Sequence, residues 1–234
     1  MNLEESKVGE VVAENFHTAQ VFTKYGIDFC CKGGISLLEA CKNQNIDMSM
    51  LIDELKQVEK STDIPDYQSF DANTLIEHII AVYHHYIEET APTINLYLNK
   101  LCQVHGERHP ELYTIQVLFK QASDTLLVHM QKEEKILFPL IEEIEKRKLS
   151  QESLIGLMPV EMPMQVMESE HEEEGIRFAS IAKLSNQYQV PTDGCQTYQV
   201  AYAMLAEFEK KLHTHIHLEN NILFPLAKKM QSSF

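Results

Sequence analysis

His129-Met-Gln-Lys-Glu133-Glu-Lys-Ile-Leu-Phe-Pro139 returns later in the chain as His215-Ile-His-Leu-Glu219-Asn-Asn-Ile-Leu-Phe-Pro225. Each copy is H-x-x-x-E followed by I-L-F-P. On an α-helix a spacing of four stacks imidazole and carboxylate on one face, roughly 6 Å apart, so both aim at one point off the helix. Two such helices facing each other form a site for two metal ions.

The helices can be followed outward from these repeats. Tyr198, Ala201, Leu205, Phe208, Leu212, His215, Glu219, Ile222 and Leu226 alternate by threes and fours, as do Leu112, Ile115, Phe119, Ala122, Leu126, His129, Glu133, Ile136 and Leu140. That is the spacing of a stripe facing a bundle core, and it puts both H-x-x-x-E pairs on the buried seam. Four helical stretches, 72–102, 110–147, 163–188 and 196–231, are separated by Pro- or Gly-bearing breaks. They predict an all-α, up-down-up-down four-helix bundle over 71–234, with Asp71 as the first N-cap. Pro139 and Pro225 each remove a backbone N–H and are expected to kink their helices.

Before the bundle, short helices are expected over Val8 to Glu14, Thr18 to Tyr25, Ser36 to Lys42, and Met48 to Glu59 behind an Asp47 cap, making a small N-terminal domain over 1–60. Residues 61–70 lose the helical period, contain a proline and read as a linker.

A histidine and a glutamate on a buried seam are costly without partners, and a metal supplies them by binding neutral imidazole and ionised carboxylate. The other two helices offer His84 and His171, each on its apolar stripe, whereas His85 is turned about 100° away. His84, His129, His171 and His215 are separated by 45, 42 and 44 residues. The path from His84 out to Cys102 and the path back from Pro110 to His129 are each about 27 Å long, so antiparallel helices return the histidines to one level. The expected ligands are His84, His129, Glu133, His171, His215 and Glu219. With both carboxylates and an oxide bridging, they fill ten of the twelve positions on two octahedral metals, leaving about one open position on each. Imidazole mixed with carboxylate suits iron, with zinc and manganese as the other candidates. His213 and His217 fall off the seam beside Lys210 and Lys211 and read as surface residues. His17, His78, His105 and His109 have no matching partner, and are candidates only for supporting positions around a ligand set or substrate path.

Composition narrows the function class. With 20 Lys plus Arg against 35 Asp plus Glu, the net charge of −15 disfavours nucleic acid and anionic lipid. No apolar run approaches the length of a membrane span, and the N-terminus lacks the pattern of a signal peptide. Five cysteines, an odd count without scaffold spacing, fit a reducing compartment, so a cytoplasmic protein is expected. Cys30 and Cys31 are adjacent in a Gly-rich turn. Lys32 and the following helix N-terminus are expected to activate a thiol there, and the strain of a disulfide between neighbours favours free thiols.

Together with Met167-Glu-Ser-Glu-His171 and Tyr25-Gly-Ile-Asp-Phe-Cys-Cys-Lys-Gly-Gly34, the repeats resemble the iron-sulfur cluster repair di-iron family (RIC, also called YtfE or ScdA) over essentially the whole chain. The resemblance implies an ScdA-type N-terminal domain, a hemerythrin-like bundle and a non-haem di-iron centre on the six residues above. It also implies restoration of iron-sulfur clusters damaged by nitric oxide or peroxide, with damaged iron-sulfur proteins as partners. Reduction of nitric oxide to nitrous oxide at the same site is the alternative, and a carrier or sensor of O2 or nitric oxide a further one. Cys30 and Cys31 are then candidates for redox chemistry, nitric oxide handling or iron transfer, and Glu170 for a proton relay or support to a ligand. The stretch Asp124-Thr-Leu-Leu-Val lacks glutamates found there in the family, which puts a relay through it in doubt. A homodimer through the small N-terminal domain is a further expectation.

Overall fold

The computed structural model describes residues 4–58 and 65–232. The described residues are helical, with no strand among them. Four short helices, α1 (Val8–Glu14), α2 (Ala19–Lys24), α3 (Leu37–Gln44) and α4 (Met48–Gln57), precede four long ones spanning 72–105 (α5), 111–149 (α6), 161–184 (α7) and 196–232 (α8). The expected caps form: Asp47 accepts from Ser49 N at 2.8 Å, and Asp71 from Thr74 N at 2.7 Å. The start of α5 has a second cap, since Glu145 of α6 accepts from Ala72 N at 3.0 Å and Asn73 N at 3.2 Å. Residues 61–64 of the expected linker, and the expected end of α4 at Glu59, lie outside the described residues; 65–70 include a short turn, Tyr67–Ser69, whose Tyr67 is buried.

Side-chain pairs fix the direction of the long helices. Along α5 and α6 they run His84 to Glu134, Asn95 to Ser123 and Asn99 to Gln116, one number rising as the other falls. His129 to Glu170, Thr125 to Glu174 and Gln121 to Arg177 do the same for α6 and α7. For α7 and α8 the pairs are His171 to Asn220, Glu168 to Lys228 and Val160 to Gln231. His84 to His215, Tyr86 to Phe208 and His105 to Cys195 close α5 against α8. The four helices therefore alternate in direction around one axis.

Each long helix bearing a duplicated motif widens at the motif. Glu133–Leu137 and Glu219–Leu223 are π turns, closed by Phe138 N to Glu133 O and Phe224 N to Glu219 O, five residues apart. The prolines at 139 and 225 stand two residues past these turns, after Phe138 and Phe224, and the wider turn accommodates a ring that cannot donate and would crowd the carbonyl four residues back. A third π turn, Ile80–His84, has no proline. The extra residue in a π turn moves the apolar face by one position. Ile136, expected on the seam, is 51% exposed, while Leu137, Phe138, Ile141 and Ile144 are buried. In α8 the same slip buries Leu223, Phe224 and Ala227 and leaves Leu226 only partly covered.

Two apolar cores result. One joins Ile87, Leu98, Phe119, Phe178, Leu205 and Phe208 of the bundle with Val8, Phe22, Leu37 and Leu51 of the N-terminal helices. The other holds Leu75, Ile79, Leu137, Ile141, Met164 and Phe224. Between them lies a layer of buried histidine and glutamate. The N-terminal helices share a core with the bundle and cover one side of α8, which overturns the surface assignment of His213 and His217. His217 is fully buried, with Phe16 and Phe29 ring centroids 5.8 Å and 5.7 Å away, and burial holds its pKa down to about 4. His213 is half-buried against Phe29.

Candidate metal centre

His84, Glu133, His215 and Glu219 bring one ligand atom each within 4.8 Å of one another, and His129, Glu133, His171 and Glu219 do the same. The two quartets share both glutamates. All six residues named from the helical phase are therefore gathered in the layer between the cores, each at most 3% exposed. Nε2 of His129 is 3.1 Å from Glu133 Oε1, and Nε2 of His215 is 3.1 Å from Glu219 Oε1, the two stacked pairs of the repeat. Across the helices, His84 Nε2 lies 3.4 Å from Glu133 Oε2 and His171 Nε2 lies 3.2 Å from Glu219 Oε2.

The donor set fits a metal. All four oxygens of Glu133 and Glu219 are buried and none has a hydrogen-bond donor. Leaving two buried carboxylates in that condition is costly unless cations fill the space they surround. The imidazoles are turned to suit: Nδ1–H of His84 donates to Glu134 at 2.7 Å, that of His129 to Glu170 at 2.8 Å and that of His171 to Asn220 at 2.9 Å. Those bonds direct each Nε2 lone pair inward and raise its basicity.

The duplicated motif explains part of this support. The residue after each shared glutamate, Glu134 or Asn220, accepts from the histidine of the preceding helix, His84 or His171. The phenylalanine of each I-L-F-P stacks on that same histidine, Phe138 on His84 at 5.8 Å and 19°, Phe224 on His171 at 6.2 Å and 11°. Tyr83 stacks on His215 at 6.0 Å. Glu134 and Asn220 were not singled out from sequence; their positions directly after Glu133 and Glu219 in both repeats were the available signal.

The buried carboxylates raise the pKa of two of the imidazoles they face. Burial opposes charge on His129, but Glu133, Glu170 and Glu219 outweigh it and raise its pKa to about 10; His84 is raised against burial by Glu133, Glu219 and Glu134. Burial likewise opposes charge on Glu133 and is outweighed by His129, His84 and His215, which hold its carboxyl well below the usual range. His215 moves the other way, pushed down by burial.

Glu170 links His129 to Lys132 by accepting from both, and the bond from His129 is the main reason its carboxyl is lowered to about 2. A cavity of about 290 Å³ lined by Thr125, His129, Lys132, Glu170, His171 and Glu174 opens beside the quartets. Thr125, in the stretch 124–128, donates its hydroxyl to buried Glu174 from α7 at 2.6 Å. A carboxylate is thus supplied to this region by a different helix.

Cys30 and Cys31 lie outside both quartets but against their support. Both are free thiols with sulfurs 3.7 Å apart, and Cys31 Sγ donates to the His171 carbonyl at 3.3 Å. Gly175 leaves room for this approach, since a Cβ there would stand 3.1 Å from Cys31 Sγ. Asn221 Nδ2 and Asn220 Nδ2 donate to the Cys30 carbonyl at 3.2 Å and 3.4 Å, so the second repeat both supports His171 and docks the cysteine turn. The expected activation of a thiol by Lys32 is corrected for Cys30. Its pKa is raised well above the ordinary thiol value by Cys31, by burial and by Asp28, whose carboxylate accepts from Cys30 N at 3.1 Å and Cys31 N at 2.9 Å. Asp28, Cys30 and Cys31 form a separate small cluster of ligand-type atoms.

Among the described residues no helix is long and apolar enough to cross a membrane. Residues 75–227 match the hemerythrin HHE cation-binding domain, and residues 4–59 match ScdA_N, a domain of unknown function. The iron-sulfur cluster repair protein ScdA of Staphylococcus haemolyticus is 34% identical over 228 residues, covering 94% of this chain and 96% of that protein. The iron-sulfur cluster repair protein YtfE of Cronobacter sakazakii is 31% identical over 227 residues, covering 97% and 98%. A probable iron-sulfur cluster repair protein of Haemophilus influenzae is 30% identical over 228 residues, covering 96% and 97%. With the buried histidine-glutamate layer, the cysteine turn packed against it and these full-length likenesses, the chain belongs to the ScdA/YtfE family of iron-sulfur cluster repair proteins.

Proposed function

We propose that this protein is a cytoplasmic, non-haem di-iron protein that restores iron-sulfur clusters damaged by nitrosative or oxidative stress, acting by delivery of iron. The observation that carries the reading is the sharing of Glu133 and Glu219 between two buried quartets. His84 and His215 would hold one iron, His129 and His171 the other, with both carboxylates common to the pair. When bound, iron supplies redox and Lewis-acid chemistry and is itself the cargo. Glu134, Glu170 and Asn220 orient the imidazoles. Cys30 and Cys31, packed against the carbonyl of one ligand, are assigned to receiving iron on its way to a damaged iron-sulfur protein. A homodimer through the N-terminal helices belongs to the same proposal. Anaerobic iron-loaded protein should restore activity to a nitrosylated cluster enzyme, while Cys30→Ser with Cys31→Ser should keep its iron and lose the transfer. No recovery above a free-iron control sinks the proposal.

The cavity at His129 and His171 favours a second reading, in which nitric oxide is reduced to nitrous oxide beside the metals. It is large enough for small gases such as nitric oxide or O2. Glu170 and Lys132 line it as a carboxylate and ammonium joined by a hydrogen bond. Release of about one nitrous oxide per reduced centre in a single turnover supports that reading; a stable nitrosyl species with no gas released counts against it. Reversible O2 binding without turnover would instead make the protein a carrier or sensor.

A further inference from the structure

Where the N-terminal helices meet α7 and α8 they enclose a cavity of about 640 Å³, and none of the six ligand residues lines it. Small residues make the room: Gly175, Ala179 and Ala182 of α7 and Ala206 of α8 carry nothing larger than a methyl group. The N-terminal segment adds the rings of Phe16 and Phe29. Polar atoms on these walls lack partners. The Tyr188 hydroxyl and His17 Nε2 both line the cavity, are buried and have no hydrogen-bond partner. Glu209, half-buried on α8, lines it too. Burial pushes its carboxyl up to about 6; Tyr188 lies close enough to favour its charge, and no lysine, arginine or histidine among the described residues does so. Lys210 borders the same space but is exposed to solvent.

The segment that carries Tyr188 is strained. Asn186, Gln187 and Tyr188 follow one another with φ of 49°, 57° and 60°, a left-handed run that side chains with a Cβ seldom adopt. Gln187 N donating to the Ala182 carbonyl at 2.7 Å and Tyr188 N donating to Ser185 Oγ at 3.1 Å hold it. Backbone kept in this region clusters at ligand clamps. The chemistry of the walls selects the ligand. A half-buried carboxylate beside a neutral hydroxyl and apolar side chains lacks a counter-charge, and the aromatic rings offer their faces to a cation. An anion would meet Glu209 and also Asp28, which lines the cavity as well, and a purely apolar molecule would leave Glu209 and Tyr188 unpartnered.

We propose that this cavity is a binding site, separate from the metal centre, for an organic ammonium: a small primary amine on an apolar or aromatic body. The ammonium donates to the Glu209 carboxylate and the Tyr188 hydroxyl oxygen, while the body lies among the small residues of α7 and α8 and the rings of Phe16 and Phe29. Cys30 also borders the space, so an occupant lies against the cysteine turn.

The test is calorimetric titration of the full iron-loaded protein with 2-phenylethylamine, alongside 2-phenylethanol and 3-phenylpropionate, which keep the body and change the charge. The amine should bind saturably and roughly tenfold or more tightly than the alcohol, and the carboxylate should not bind. An unchanged iron spectrum places the amine away from the metals, and amide exchange should slow across 26–30 and 186–188. Glu209→Gln keeps the shape of the wall and should weaken the amine about 10–100-fold, whereas Tyr188→Phe should weaken it roughly 2–10-fold. Iron and helical content report whether the variants fold. If Glu209→Gln does not fold, the preference of the wild type for amine over alcohol decides together with Tyr188→Phe. Absence of saturable amine binding overturns the proposal, as does an alcohol that binds as tightly as the amine, or an affinity that Glu209→Gln leaves unchanged.

Discussion

Replacing Glu133 with Gln should empty the whole metal centre, whereas replacing His84 with Ala should empty half of it. Glu133 belongs to both quartets and His84 to one. Glu133→Gln removes one negative charge and one ligating oxygen from a fully buried layer that holds only one other shared carboxylate, Glu219. Changes to residues outside a ligand set already lower metal affinity about 10–100-fold, so loss of a shared ligand should exceed that on both sides at once. The histidines should respond as well. Glu133 is the leading group holding the His129 pKa up at about 10 against burial, so in the metal-free variant that pKa should fall. The assay is iron per chain by elemental analysis after anaerobic loading and desalting, with an imidazole titration by NMR on metal-free protein. Wild type should hold about two irons, Glu133→Gln close to none and His84→Ala about one. Equal losses in the two variants, or a Glu133→Gln protein that keeps one iron, would refute the shared-carboxylate arrangement.

Four further expectations rest on the same geometry. Metal binding must displace the protons held by His129 and His84, so calorimetry in buffers of different ionisation enthalpy should show at least one proton released per chain at neutral pH. In the metal-free protein the raised His129 pKa adds stability that is fully present below its ordinary value of 6.5 and is lost as pH rises through about 10, so metal-free protein should lose stability across that alkaline window. The π turn in α6 is tested by a pair of neighbours: Leu137→Ala, at a buried site, should cost about 2–5 kcal/mol in denaturant unfolding, while Ile136→Ala should change little. Asn221→Ala removes bonds to the Phe29 and Cys30 carbonyls, worth roughly 0.5–1.5 kcal/mol each, and should speed amide exchange in the N-terminal helices more than in the bundle.

The metal site was legible because its information is periodic. His129, Glu133, His215 and Glu219 share a helical phase with the apolar stripe and precede or begin their π turns, upstream of the slip in phase; His171, in a helix without a π turn, and His84, which closes the turn Ile80–His84, could be recruited from stripe and spacing. Beyond Glu133 the periodic reading failed, placing Ile136 and Leu140 where Leu137 and Ile141 stand. Three consecutive apolar residues before each proline were the trace of that slip. The docking of the N-terminal helices was not legible, since it depends on Asn220 and Asn221, polar residues that a free-standing bundle would expose. That omission also misplaced His217, which a bundle alone would leave open and which Phe16 and Phe29 cover. Lys32 adjoins the cysteines in sequence, but Asp28 faces Cys30 in space, and burial together with Asp28 and Cys31 reverses the expected effect on that thiol.

Two irons that share Glu133 and Glu219 within one centre would be magnetically coupled. Electron paramagnetic resonance of iron-loaded protein tests it most directly, because ferric ions joined by common ligands couple while isolated ones do not. Fully oxidised protein with about two irons per chain should be silent, and one-electron reduction should produce a mixed-valence signal below g = 2. A persistent high-spin ferric signal accounting for all the iron, with about one iron per chain, would contradict the account.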